Sequence, residues 1–479
     1  MYSFLLCLAA LIVGYFVYGK LIERIFGPDD RPTPAVLHED GVDFIRMPRW
    51  KIFMIQFLNI AGTGPIFGAI MGAKFGTSAF LWIVLGCIFG GAVHDYLSAM
   101  ISLRHNGESL PELVGRYLGL TTKQVMRVFT IVLLILVGAV FVDSPAELLD
   151  QLTGGSMGVY TWMAIIFVYY LFASVMPIDK VIGKIYPIFA VALLFMAAGL
   201  LIAYFLKFPT DVPELWDGLS NTHPRAATTP IYPILFVTIA CGAISGFHAT
   251  QSPLMCRCMS SEWQGRSIFY GSMITEGIVA LIWAAVATYF FHHNPDGINE
   301  PSAPKIVFAV TGDWLGSVGS VLAVLGVVAA PITTGDTALR SARLIVADIL
   351  HIDQSSIFRR LGVSAAIFVV TFVVLCFSLS GSEGFNILWR YFAWANQTLS
   401  VFTLWAVTVY LVRHNKCFWI TLFPALFMTT MCTTYLFIAP ECLHLSPVIA
   451  HSIAAAVALI SIVRFVCWYN GAAQKDRAL

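Results

Sequence analysis

Leu58-Asn59-Ile60-Ala61-Gly62-Thr63-Gly64-Pro65 stands in the middle of an apolar run that extends from about Ile52 to Phe75. A helix in lipid keeps every backbone N–H and C=O paired within itself, and two glycines and a proline inside four residues oppose that pairing. Broken backbone at membrane depth persists only where it lines a cavity or is buried in protein, so it points to a binding site. The competing explanation is a small-residue crossing between closely packed helices. The stretch alone leaves the two evenly matched; a second interrupted span elsewhere in the chain would decide between them.

The surroundings of the stretch set the class. The chain has 479 residues, 58% of them hydrophobic and 11% charged, with a mean hydropathy of +0.80. A soluble domain carries about 25% charged residues, so these values describe an all-α polytopic membrane protein. A net charge of +1 with no basic, aromatic-interleaved patch gives no sign of a nucleic-acid partner. The ten cysteines form no CxxC pair and read as small hydrophobes; Cys256 and Cys258, the closest pair, lack further ligands at zinc spacing. The stretch Ser3 to Tyr18 has no basic leader and no small-x-small cleavage site, and reads as a retained first span.

Apolar segments long enough to cross a bilayer fall at about 3–22, 52–76, 78–103, 125–142, 159–176, 182–206, 231–255, 269–291, 316–347, 362–380, 390–412, 418–438 and 446–468, thirteen in all. Lysine and arginine set the orientation. With the N-terminus outside and the C-terminus in the cytoplasm, all 28 of them fall on the cytoplasmic side except Lys74, Lys207, Arg225, Lys305 and Arg390. The basic side runs from Lys20 and Arg24 through Arg104, Lys180 and Lys184 to Arg413, Lys475 and Arg477. The opposite side carries Asp143, Glu147, Asp150, Asp211, Glu214 and Asp217. No Gly-rich lysine loop of Walker type is present, which argues against ATP-driven transport by this chain alone.

The stretch has a counterpart. Thr238-Ile239-Ala240-Cys241-Gly242-Ala243-Ile244-Ser245-Gly246-Phe247-His248-Ala249-Thr250-Gln251-Ser252-Pro253 is the other span that is glycine-broken, polar and proline-flanked near its middle. With the first span set aside, five spans run from 52 to 206 and five from 231 to 412, each set headed by a broken helix and entering from opposite sides. That is the pattern of a five-plus-five inverted repeat of LeuT type, with one extra N-terminal helix and two extra C-terminal helices, all in a single transmembrane domain. Such transporters bind substrate where two discontinuous helices face each other at mid-membrane. Freed N–H groups there suit a carboxylate and freed carbonyls suit a cation.

These residues also carry a family resemblance. Asn59-Ile-Ala-Gly-Thr-Gly-Pro-Ile-Phe-Gly68, Gly91-Ala-Val-His-Asp95, Ser102-Leu-Arg-His-Asn-Gly-Glu-Ser109, Cys241-Gly-Ala-Ile-Ser-Gly-Phe-His248, Asp336-Thr-Ala-Leu-Arg-Ser-Ala-Arg343 and Phe392-Ala-Trp-Ala-Asn-Gln397 resemble the carbon-starvation protein A family, in order from about 45 to 415. The resemblance implies a multi-pass importer of the bacterial inner membrane, of the amino acid–polyamine–cation superfamily type. Its members are associated with peptide uptake during carbon starvation and with proton-coupled pyruvate uptake. The chain departs from longer members in its short C-terminal part, and has His94 where they tend to have glutamine.

Ionisable groups inside spans are costly and mark function by default. His248 follows the second break directly, where it would attract a carboxylate as a cation or accept a proton as a neutral ring; Ser245, Gly246 and Gln251 adjoin it. Asn59, Gly62, Thr63 and Gly64 form the facing half of the expected substrate site. His94 and Asp95 read either as a proton relay or, for Asp95, as a clamp on a loop arginine such as Arg104. Glu276, two turns into its span, reads as a proton carrier or an interhelical hydrogen bond. The resemblance to five-plus-five transporters implies that Thr333 and Thr334 coordinate sodium together with carbonyls near Ile60 and Ala61, with Asp336 as a third ligand, a protonation site or a partner of Arg340. Simple back-bonding of the threonines is the alternative. Asn396 and Gln397 line an outer vestibule or join helices; Asp143 and Glu147 read as solvated, and His292 and His293 as a loop pair without partners.

The expected function is therefore secondary uptake of a small carboxylate-bearing nutrient, pyruvate, a short peptide or an amino acid, driven by a proton or sodium gradient. No resident cofactor and no obligate protein partner is expected. An intramembrane enzyme would need a nucleophile–base set or a metal cluster, and the sequence has no HExxH and no Gly-x-Ser-x-Gly. A passive channel would need a repeated pore loop or a ring of charge, and neither is present.

Overall fold

The apolar segments become helices because lipid offers their backbones no other partner. The computed structural model describes residues 1–40, 44–174, 178–299, 302–354, 356–379, 384–440 and 442–476, and the side chains of 178–185, 318, 322, 384–386 and 472–476 are not described. Among the described residues there is no strand. The helices are α1 (Tyr2–Phe26), α2 (Arg49–Ile60), α3 (Gly64–Ala73), α4 (Ser78–Arg104), α5 (Leu110–Leu118), α6 (Leu120–Leu152), α7 (Val159–Ala173) and α8 (Ile178–Lys207). After them come α9 (231–238), α10 (His248–Cys256), α11 (Gly271–His293), α12 (Ala303–Leu350), α13 (Ile357–Ser378), α14 (Gly384–Arg413), α15 (Trp419–Ile438) and α16 (Pro447–Asp476).

Among the described residues, ten helices are long and apolar enough to cross a membrane, or eleven if α2 and α3, bent by 55° at their break, count as one span. Thirteen crossings were expected. The other two segments are α7, whose 15 residues reach about 22 Å at 1.5 Å per residue, and the interrupted α9–α10. The expected span at 316–347 begins at a real interruption, because α12 is broken at Gly316. Residues 175, 176 and 380, at the ends of two expected spans, and Arg477 lie outside the described residues.

The loops gather into two mutually contacting sets, the two sides expected from the sequence. At one end Arg104 donates to Gly27 O, Arg257 to Gly107 O, Arg266 to Glu23 and Arg413 to Arg116 O. At the other end the Met1 ammonium contacts Glu214, Thr77 donates to Gly218 O, Thr222 to Lys74 O, and His293 meets Asp211. The last of these contacts corrects an expectation, because His293 has a partner 3.0 Å away; the first ties the start of α1 to the loop that carries Glu214. Asp143 is likewise not simply solvated, accepting a hydrogen bond from Ser378 (3.0 Å).

Large apolar side chains on α1, α8, α13 and α16, including Leu6, Leu206, Phe372 and Val448, remain exposed, which suits a lipid-facing perimeter. The enclosed helices are α4, α11 and α12, and α11 carries the fully buried Trp283. The broken helix α2–α3 packs against these three, α10 packs against α4 and α12, and the break at Gly242 meets Ala280 of α11.

Candidate functional site

The two breaks touch. A Cβ added to Gly64 would lie 2.3 Å from Cys241 Cβ, and Pro65 Cα is 3.7 Å from the Cβ position of Gly242. Glycine at 64 is therefore a requirement of close approach. The second break also presses on α14: a Cβ on Gly246 would sit 2.3 Å from Ser400 N and 2.6 Å from Asn396 O.

Freed backbone groups at both breaks are claimed by side chains from neighbouring helices. Thr334 donates to Leu58 O (3.1 Å) at the end of α2, Trp82 to Ile239 O (2.9 Å), and Gln397 to Phe236 O (3.0 Å). Asn396 closes the start of α10: its Oδ1 accepts from Phe247 N (2.7 Å) and Ser245 Oγ (2.9 Å), and its carbonyl accepts from Gly246 N (3.1 Å). This satisfies donors that a helix start leaves orphaned, so those amides, expected to be free for a carboxylate, are already engaged. Asn396 and Gln397 act as interhelical joints.

The ionisable side chains converge beside the second break. His248 Nδ1 lies 2.8 Å from Asp95 Oδ2, and His94 Nδ1 lies 2.8 Å from Asp95 Oδ1. The other side of the His248 ring faces Glu276, with Nε2 3.5 Å from Oε2. All four residues have 0% exposure. The helices supply them as their sequences require: α4 brings His94 and Asp95 as neighbours, α10 starts at His248, and α11 crosses to deliver Glu276. Cys241, taken for a small hydrophobe, belongs to the group, since its sulfur and the nearest ligand atoms of His248 and Glu276 all lie within 4.8 Å of one another.

Several expected roles change accordingly. Asp95 does not clamp Arg104; it is held between two histidines, while Arg104 pairs with Glu262 (2.8 Å). Asp336 is hydrogen-bonded by Tyr186 (2.8 Å), whose hydroxyl also lies 3.0 Å from Thr333 O. Thr333 back-bonds to Ala329 O and Ala330 O, and Thr334 bridges Ala330 O and Leu58 O. Among the described residues the threonine pair thus hydrogen-bonds to the first broken helix through Thr334, and at Leu58 O rather than at Ile60 or Ala61, with the Thr334 hydroxyl also close to Gly62. Cys256 donates to Ala99 O and Cys258 to Leu254 O, and neither joins the ionisable group.

The remaining expected substrate residues are buried and short of partners. Both amide atoms of Asn59 and the Thr63 hydroxyl have no hydrogen bond, and neither do both amide atoms of Gln56, one turn before Asn59. Gln251 Oε1, His94 Nε2, His248 Nε2 and both Glu276 oxygens share that condition. Buried polar atoms normally find a partner, and a group left without one calls for an explanation. Gln56 was legible as a polar residue inside an apolar run; Cys241 carried no such signal, because cysteine is at home in a core.

The basic end is closed by a compact network. Glu262 accepts from Arg104 Nε (2.9 Å) and Nη2 (2.8 Å) and from Asp29 N (3.0 Å), while Arg104 also reaches Gly27 O (2.8 Å) and stacks 4.1 Å over Phe26. It joins the loop after α10 to the ends of α1 and α4. At the same end, burial pushes the Glu112 carboxyl up, but hydrogen bonds from Lys123 and Arg127 outweigh that and hold it below its ordinary value.

Comparison with known proteins agrees with this architecture. The model of carbon starvation protein CstA matches residues 1–161, 151–311 and 303–435. An uncharacterized membrane protein of Haemophilus influenzae is 45% identical over 345 residues, which are 62% of this chain and 93% of that one. The peptide transporter CstA of Escherichia coli K12 is 26% identical across 88% of this chain and 78% of its own length. The peptide transporter CstA of Mycobacterium tuberculosis H37Rv is 27% identical across 82% of this chain and 58% of its own length. Among solved structures, an Eremococcus coleocola manganese transporter superposes with a TM-score of 0.54 at 12% identity, over 90% of this chain and 98% of that one. MhsT in complex with L-phenylalanine gives 0.57 at 12% identity, over 86% and 99%. These neighbours have the LeuT fold, and with the family model covering the sequence from residue 1 to residue 435, the chain belongs to the carbon starvation protein CstA family.

Proposed function

We propose that the chain imports a small carboxylate-bearing nutrient, pyruvate or a short peptide, by alternating access across a bacterial inner membrane, coupled to protons. The observation that carries this reading is His248, buried at the break of α10 between the carboxylates of Asp95 and Glu276. Asp95 keeps one face of the imidazole permanently engaged. The other face, Nε2, is shared with Glu276 at 3.5 Å, a distance that leaves the pair easy to separate. A substrate carboxylate placed at Nε2 while Glu276 is ionised would set a further negative charge against the same imidazole in a dry site, which is costly. A proton on Glu276 removes that repulsion and releases Nε2 to the substrate. Anion and proton then occupy the centre together or not at all, which is the requirement for symport. Asn59 and Thr63, unpaired on the first broken helix, supply hydrogen bonds to the rest of the substrate.

The residues of the centre have 0% exposure, as an occluded state demands, and the Arg104–Glu262 network is the closure on the basic side. Under this reading the helices form two inverted five-span repeats, 52–206 and 231–412, within one transporter domain, and the positive-inside rule puts the basic end in the cytoplasm, with the N-terminus outside. The alternative is a sodium-coupled amino-acid symporter. It draws on the Thr334 hydroxyl at Leu58 O; there sodium would replace a hydrogen bond that is already made.

Radiolabelled uptake into proteoliposomes tests the proposal, with pyruvate, alanine and dipeptides offered under separately imposed proton and sodium gradients. Proton-driven accumulation of one of them is expected. No gradient-dependent uptake of any would overturn the symport reading, and accumulation driven by sodium alone would favour the alternative.

A further inference from the structure

We propose that Cys241, His248 and Glu276 form a binding site for a thiophilic divalent cation of the zinc or cobalt type, and that its occupancy holds the transporter shut. The blocking half rests on the transport reading above; the binding half does not.

The donor set is one sulfur, one imidazole nitrogen and one carboxylate oxygen, a mixture that zinc accepts and that calcium or magnesium does not favour. Their ligand atoms lie within 4.8 Å of one another. Metal–ligand bonds of about 2.0–2.3 Å in a tetrahedron set ligand atoms about 3.3–3.8 Å apart. His248 Nε2 and Glu276 Oε2, at 3.5 Å, already stand at that spacing, and the Cys241 sulfur completes the group within 4.8 Å. Two independent features mark the triangle as a ligand site and not a chance grouping. His248 Nε2 and both Glu276 oxygens are fully buried and make no hydrogen bond. The opposite nitrogen of His248 is held by Asp95 at 2.8 Å, the carboxylate–histidine arrangement that fixes the ring of a metal-ligating histidine and aims its free nitrogen at the ion.

Binding displaces the thiol proton of Cys241, any proton on His248 Nε2 and any proton on Glu276, while Nδ1 keeps its hydrogen bond to Asp95. A divalent ion there ties α11 to the break of α9–α10 and occupies the face of His248 that the substrate carboxylate needs. Three protein ligands leave a fourth position, which water fills.

The test is equilibrium dialysis of the purified full chain against zinc, with magnesium as control, followed by cobalt loading read in the near-ultraviolet thiolate-to-cobalt absorption. One zinc per chain is expected, with that absorption present in wild type and absent in Cys241→Ser. Glu276→Gln is expected to bind zinc about 10–100-fold more weakly, and Asp95→Asn, which orients the ring, to fall in the same range. Size-exclusion profiles and thermal unfolding of each variant separate lost binding from lost fold, and zinc is expected to raise the wild-type Tm. No zinc above the magnesium control, or equal binding by folded Cys241→Ser and Glu276→Gln, overturns the site. If zinc binds as described yet leaves substrate uptake unchanged in active proteoliposomes, the blocking half fails. If wild type takes up nothing, the transport reading fails and the binding result still stands.

Discussion

His248 and Asp95, 153 positions apart in the chain, meet at 2.8 Å in the closed centre of the bundle, each with 0% exposure. Removing one member of a buried pair strands the other and costs about 3–5 kcal/mol. Asp95→Ala is expected to lower stability by that amount, measured by thermal unfolding of the purified protein. Asp95→Asn keeps the shape and unfolds closer to wild type, yet proton-driven uptake should drop by more than about tenfold, since each factor of ten is about 1.4 kcal/mol of lost interaction. Wild-type uptake by the asparagine variant would remove Asp95 from the coupling group.

Glu276→Gln imitates a permanently protonated carboxyl beside His248 Nε2. The variant should bind substrate and exchange it across the membrane, but no longer accumulate it against a gradient. Counterflow and proton-driven uptake in the same proteoliposomes make the comparison. Retained, pH-dependent accumulation would show that the carried proton sits elsewhere.

Gly246 has no room for a methyl group, because its Cβ would lie 2.3 Å from Ser400 N and 2.6 Å from Asn396 O. Overpacking of this kind costs about 1–3 kcal/mol, and Gly246→Ala should lower the yield of folded protein accordingly. Asn396→Ala leaves Phe247 N without its acceptor, a loss of about 1–3 kcal/mol for a buried donor. Both are read by fluorescence-detected size exclusion after graded heating.

Glu262 is 1% exposed and takes two hydrogen bonds from Arg104. Glu262→Ala should open the basic end as well as destabilise it. The reporter is already present: Cys256, six residues before Glu262, is buried and bonded to Ala99 O of the helix that ends at Arg104. Alkylation of Cys256 by a membrane-impermeant maleimide, followed by peptide mass spectrometry, should be slow in wild type and several-fold faster in the variant. An unchanged rate would sink the network's role as a closure.

Glu112 is held below its ordinary value by Lys123 and Arg127. A depressed carboxylate contributes stability above its unfolded pKa of about 4.3, and that contribution disappears as pH falls through the lower folded value. Glu112→Gln should therefore be about 1 kcal/mol less stable than wild type at pH 7, with the difference vanishing in acid. A difference that persists below the usual carboxylate range would mean that packing, not charge, is what the glutamate contributes.

Much of the fold could be read from the chain because membrane helices announce themselves locally. Lipid demands about 20 apolar residues per crossing and punishes broken backbone, so segments such as 78–103 and 418–438 were legible from a window of sequence, and so were the two breaks at Gly62–Gly64 and Gly242–Gly246. The short α7 and the interrupted α9–α10 blur the count because length is the signal, and they lack it. Of the site residues, His248 was legible from its place after a break, and Glu276 and Asp95 from their cost in lipid. Their meeting was not legible, since nothing local says which faces of α4, α10 and α11 turn toward one another. Cys241 gave no signal at all, and Asn396 left two readings that packing alone separated.

The sequence by itself determined the class, the positions of the broken helices, the partition of the loops into two ends and the family resemblance. Each depends on composition, spacing or charge along the chain. Only the tertiary structure decided that Asp95 serves His248 and not Arg104, that Tyr186 holds Asp336, that Asn396 takes the amides of the second break, and that Cys241 stands with His248 and Glu276. Those are choices among partners far apart in sequence, and they follow from how glycine-lined helices can approach one another in the dry interior.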